Sequence, residues 1–102
     1  MAVTTKQRVP SLSETPSLAE TVPGYEASTW FGACAPKATP PEVIGKLNGE
    51  FNAILADQAM KARIESLGAS VFAGSPVAFS AFIADEKQKW ATVVKQAGIR
   101  PD

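Results

Sequence analysis

The chain contains no histidine and a single cysteine, Cys34. That absence removes most nucleophilic machinery at once, because Ser-His-Asp and Cys-His arrangements both need an imidazole. It removes zinc as well, since metal ligation needs several His, Cys, Asp or Glu side chains at ligand spacing. One cysteine forms no internal disulfide, and the redox compartment is not legible from it. An excess of charge of either sign is also missing: ten basic and ten acidic residues cancel. Nucleic-acid binding draws its affinity from a basic field, so none is expected. No run approaches the apolar length of a transmembrane helix, and Met1–Pro10 lacks the apolar core of a secretory leader. Neither GxGxxG nor GxxxxGK[ST] occurs, so no phosphate cradle is expected.

What is present belongs to an ordinary globular composition, 45% hydrophobic and 20% charged over 102 residues, enough for one core without staples. Residues 1–102 are therefore read as a single domain, in two parts. Residues 1–24 begin with a short β-prone run, Ala2-Val3-Thr4-Thr5, and continue as a loop punctuated by Pro10, Pro16 and Pro23. Within it, Ser17-Leu18-Ala19-Glu20 has the spacing of a capping box, the serine capping a turn and the glutamate reaching back to its amide. Residues 25–102 hold a strand followed by mainly helical sequence. From Ala27 to Ala35 there is no charge, and both alternating faces are apolar or small, the pattern of a strand covered on both sides. Cys34 is expected there as a small buried hydrophobe, and Trp30-Phe31 as core.

Three helices are expected, at about 40–56, 58–67 and 76–97. Thr39-Pro40-Pro41-Glu42 offers a cap, an initial proline and an acid for a capping box. Val43, Ile44, Leu47, Phe51, Ile54 and Leu55 recur at three- and four-residue spacing. Gly45 and Gly49 lie among them and are expected to admit a close neighbour. Asp57 caps the second helix, which Gly68 stops. Ala69–Ala73 is a plausible short strand, and Ser75-Pro76 opens the third helix. Glu86 interrupts the apolar stripe of that helix and is expected to mark a bend or a change of partner. The order of strands and helices argues an α/β fold with parallel pairing. Its two or three short strands would leave open edges, which invite another chain.

Two helix starts and one acidic pair are the candidates for a site. The helix starts at Thr39 and Ser75 offer amides to an anion, but capping accounts for both. Asp85-Glu86 point about 100° apart on a helix, with Lys87 and Lys89 beside them, and read as a solvated face. No catalytic, metal or cofactor residue is assigned, and no enzyme activity is expected.

The order of these motifs resembles the C-terminal third of the Bug-type solute-binding proteins, the extracytoplasmic receptors of tripartite tricarboxylate transporters. Ala2-Val3-Thr4-Thr5 with Arg8 is similar to the family's strand re-entering the first lobe. Pro16-Ser17-Leu18-Ala19-Glu20 and Pro23-Gly24-Tyr25-Glu26 are similar to its "P-T-V-A-E … P-G-Y-E". Ser28-Thr29-Trp30-Phe31-Gly32 with Ala35-Pro36 matches its "S-x-W-F-G-x-x-A-P". The run from Leu67-Gly68-Ala69 through Gly74-Ser75-Pro76, Phe79, Phe82-Ile83, Glu86, Lys89-Trp90 and Ala97-Gly98-Ile99 to Pro101 follows the family's ending. Ala38 departs from the glycine often found before Thr-Pro.

The resemblance implies part of one lobe of a periplasmic binding protein, a receptor that closes on a small di- or tricarboxylate and delivers it to membrane transporter subunits, without a cofactor. Residues 28–35 would be a central strand of the first lobe, between helices, and Ala2–Thr5 a crossover near the hinge. The receptor's ligand lies between two lobes, so this chain is expected not to bind solute by itself. None of its positions matches a principal ligand-contact motif, and the ligand-binding residues are unknown. By ancestry the location is periplasmic, although the chain as written has no signal peptide. The alternative reading is a self-associating or partner-binding α/β module, a homodimer that completes its own cover.

Overall fold

The computed structural model describes residues 1–100; the Pro101-Asp102 end of the resemblance lies outside the described residues. Its N-terminal part is held by hydrogen bonds rather than by a core. Val3 lies parallel to Ser17 in an isolated bridge, its amide donating to the Pro16 carbonyl at 2.9 Å and its carbonyl accepting from the Leu18 amide at 2.9 Å. On the other side, the Ala27 amide donates to the Thr4 carbonyl at 3.0 Å. The arm therefore lies between two segments, alternate residues serving alternate edges as in any extended chain. The capping box forms around a 3-10 turn at Leu18–Glu20: the Ser17 hydroxyl accepts from the Ala19 amide and Glu20 accepts from the Ser17 amide. A second 3-10 turn spans Pro10–Leu12.

Helix α1 spans Pro41–Ala56, α2 Gln58–Ser66 and α3 Pro76–Gln96. Each boundary has a local cause. Asp57 Oδ1 accepts from the Met60 amide at 2.9 Å and Ser75 Oγ from the Ala78 amide at 3.1 Å, the expected caps. Gly68 stops α2 with φ +77°, a conformation that strains any side chain. The Thr39 cap is corrected. Pro40 occupies the cap position of α1 with no side-chain bond, while the Thr39 amide turns back to the Pro36 carbonyl. Glu42 then stands at the second helical position, one short of where a capping box needs its acid.

The expected strands do not form a sheet. Among the described residues the Val3–Ser17 bridge is the sole pairing, and neither 27–35 nor Ala69–Ala73 has a ladder. A strand exists through its neighbour, and the described residues supply none for these segments.

Cover is what the chain lacks. No hydrophobic residue is buried among the described residues, and the one buried residue is polar: Ser17, 1% exposed. The accessible surface is 8585 Å² for 10.7 kDa, whereas a compact monomer of that mass exposes about 5,500 Å². The radius of gyration, 16.7 Å, exceeds the roughly 13 Å of a compact 100-residue domain. Helix α1 packs against α2, but Val43, Leu47, Phe51 and Ile54 on its apolar stripe stay nearly half exposed. Nothing lies within contact distance of a side chain built at Gly45 or Gly49. The neighbour expected there is absent from the described residues.

Candidate functional site

The apolar residues gather along a groove rather than around a centre. Its first wall is the segment after Ala27. Trp30 meets two rings of α3 edge-on, with centroids 5.7 Å from Phe79 and 5.3 Å from Phe82. Edge-to-face geometry at this separation sets the positive ring edge against the negative face. Gly32 lies so close to Phe79 that an added Cβ would stand 2.2 Å from the ring. Trp30 and Gly32 thus face α3, while Phe31 between them is 95% exposed. That two-residue alternation is the signature of an extended strand. Phe72 extends the cluster, its ring 6.3 Å from Phe82.

The second wall is α1, with Phe51 and Leu55. A polar clamp fixes the rim. Asn52 donates from Nδ2 to the Gly74 carbonyl at 3.1 Å and accepts the Gly74 amide on Oδ1 at 3.3 Å, and Asn48 Nδ2 donates to the same carbonyl at 2.9 Å. The Asn52 amide thereby pairs with the Gly74 backbone as a neighbouring strand would, and ties the start of α3 to the middle of α1. Between the walls lies a cavity of ≈ 550 Å³ with no charged residue in its lining. Such a surface takes apolar groups and has no cation with which to grip a carboxylate.

The residues singled out in the sequence fall into place unevenly. Ser75 lines this groove, but its hydroxyl is spent on capping. Trp30 is packed on one side and 40% exposed, so the core reading holds in part for Trp30 and fails for Phe31. Cys34, expected as a small buried hydrophobe, is exposed. At Glu86, where a bend or a change of partner is expected, α3 continues as one helix. The carboxylate pairs with Lys89 and accepts the Trp90 indole N–H at 3.0 Å. The Lys89 ammonium holds it below its ordinary pKa.

Sequence reasoning missed two features. One is the Asn48/Asn52 clamp, whose signal was two asparagines four apart inside a helix, where their short polar side chains are poorly placed unless they bond elsewhere. The other is the bidentate pair of Arg8 with Glu20, Nε to Oε1 and Nη2 to Oε2, both at 2.8 Å. The guanidinium, followed by the Ser17 amide, brings the Glu20 pKa down to about 2. Among the described residues no three potential metal ligands come together, and no helix is long and apolar enough to cross a membrane.

The profile of the tripartite tricarboxylate transporter family receptor matches residues 1–99, and the chain belongs to that family. It is 33% identical over 96 residues to the UPF0065 protein in the tcbD-tcbE intergenic region of Pseudomonas sp. (strain P51), covering 92% of this chain and 29% of that protein. It is 35% identical over 101 residues to Protein BugT of Bordetella pertussis, covering 98% of this chain and 31% of BugT. A third relative, the UPF0065 protein in the clcB-clcD intergenic region of Pseudomonas knackmussii, is 30% identical over 96 residues and is covered over 57% of its length. The chain thus spans under a third of the first two relatives. No solved structure matches it.

Proposed function

We propose that the chain is part of one lobe of a periplasmic binding protein that captures small carboxylates for a tripartite tricarboxylate transporter, and that it does not bind solute unaided. The carrying observation is the family match over residues 1–99, which supports a receptor role without naming the solute. The groove supports the second clause, because a carboxylate needs donors or cations and this lining is aromatic, aliphatic and amide. The physical role of these residues is then scaffolding: the aromatic cluster and the Asn clamp set the angle between α1 and α3, and the surfaces that touch solute and transporter are built on that frame. Two-lobed receptors switch by closing around ligand, which a portion of one lobe does not do.

Isothermal titration of a panel of di- and tricarboxylates tests both clauses. The chain alone is expected to give no saturable heat. A family receptor of known carboxylate ligand, with residues 1–99 of this chain replacing its matching segment, is expected to retain binding. Micromolar binding to the chain alone refutes the second clause, and a well-folded chimera that binds nothing refutes the first.

A further inference from the structure

We propose that Glu86 is a positioning residue: its carboxylate latches the 27–35 segment to α3 by gathering the indoles of Trp30 and Trp90 about one acceptor, and acid opens the latch. Glu86 lies in the middle of α3 with 14% of its side chain exposed, sheltered from most of the solvent. A sheltered carboxylate needs partners at both oxygens. Oε2 accepts the Trp90 indole N–H at 3.0 Å, and Oε1 pairs with the Lys89 ammonium. That ammonium also stands 5.6 Å from the centroid of the Trp90 ring, within the range at which a cation is drawn to an aromatic face. Lys89 and Trp90 follow Glu86 by three and four residues, the spacing at which a helix brings side chains together.

The third partner comes from outside the helix. Trp30 packs edge-on against Phe82 with ring centroids 5.3 Å apart, and Phe82 lies one turn before Glu86 on the same face of α3. That contact carries the Trp30 indole to the carboxylate. The Glu86 pKa is lowered first by the Lys89 ammonium, then by the Trp90 indole, and last by a bond from the Trp30 indole. An indole N–H donates and never accepts, so an anionic oxygen suits each. The role also accounts for an acid amid the apolar stripe of α3.

Side chains have to do this holding. Among the described residues, 28–35 make no backbone hydrogen bond. The segment brings no charge of its own, and the cation acting on Glu86 is Lys89; Asp85 and Lys87 point about 100° to either side on α3. A carboxyl whose pKa is lowered on folding contributes stability that is fully present above the ordinary value of 4.5 and lost as pH falls through the lowered one. Below it Lys89 loses its counter-charge and both indoles lose an anionic acceptor, which frees the segment from α3. The latch is built within residues 30–90 and is independent of which solute the receptor takes.

The chain has two tryptophans, so its two indole N–H resonances in a proton–nitrogen NMR spectrum test the latch, with Trp90→Phe identifying the Trp30 signal. Both resonances are expected to move with one midpoint below 4.5 as pH falls. Lys89→Met is expected to raise that midpoint for both together. Glu86→Gln keeps an oxygen acceptor and should leave two dispersed resonances that no longer titrate, whereas Glu20→Gln should leave the titration unchanged. Far-UV circular dichroism follows the helices over the same range. Should Glu86→Gln lose its helices, the common midpoint in the unsubstituted chain and its displacement by Lys89→Met carry the decision. A Trp30 resonance that does not follow the Glu86 midpoint overturns the proposal. So does a titration that survives Glu86→Gln, a Lys89→Met effect confined to Trp90, or loss of the helices at the same midpoint, which would make the change a global unfolding.

Discussion

Gly32 stands where a side chain has no room. A methyl group there would overlap the Phe79 ring, which packs in one cluster with both Trp30 and Phe82. The ring has to rotate or withdraw, and either movement disturbs the edge-on contact with Trp30. Overpacking of this kind costs about 1–3 kcal/mol. Gly32→Ala is therefore expected to lower stability by that amount and to change the near-UV circular dichroism of tryptophan. Trp90 lies beyond this cluster and pairs with Glu86, so the change should be lost in a Trp30→Phe background. An unaltered spectrum in Gly32→Ala would mean that the segment does not press on α3.

Between elements, two ties are polar and come from residues far apart in sequence. The Arg8–Glu20 pair joins the start of the arm to the 3-10 turn, and Arg8 Nη1 also donates to the Ser13 carbonyl at 3.2 Å. Glu20 titrates at about 2 in the folded chain against an ordinary value of 4.5. A carboxyl whose pKa is lowered on folding contributes stability that is fully present above 4.5 and lost as pH falls toward 2. The arm is thus expected to keep one structure from neutral pH to about 4.5 and to loosen below it. The Ser17 and Leu18 amide resonances report this, and Glu86 titrates on α3 without touching them. Glu20→Gln should loosen the arm at every pH and abolish the acidic transition. Both residues of the pair are about half exposed, so added salt should shrink the effect; a transition indifferent to the substitution would assign it to another group.

The same scale explains what the sequence made legible. Helix ends were readable because Asp57, Ser75 and Gly68 act on amides and carbonyls within four residues. The Thr39 start was misread because a second proline displaced the cap by one position, a choice the motif alone does not make. The 27–35 segment kept its alternation, with Trp30 and Gly32 on one side and Phe31 on the other, yet formed no strand, because pairing depends on residues elsewhere. The Asn52–Gly74 clamp and the Arg8–Glu20 pair span 22 and 12 residues, and neither identity nor spacing announces such a partner.

At the scale of the whole molecule, the denaturant slope measures how far the chain closes on itself. That slope follows the surface newly exposed on unfolding. An unfolded chain of 10.7 kDa exposes about 15,500 Å² and a compact one about 5,500 Å², a difference of roughly 10,000 Å². Starting from 8585 Å², unfolding of the isolated chain exposes only about 6,900 Å² more. Its slope in urea, followed by far-UV circular dichroism at low concentration, is therefore expected to be about seven-tenths of that for a compact domain of equal length. A full-sized slope at high dilution would mean that the helices fold inward over their own apolar stripes, and no uncovered surface would then remain for any partner to seek.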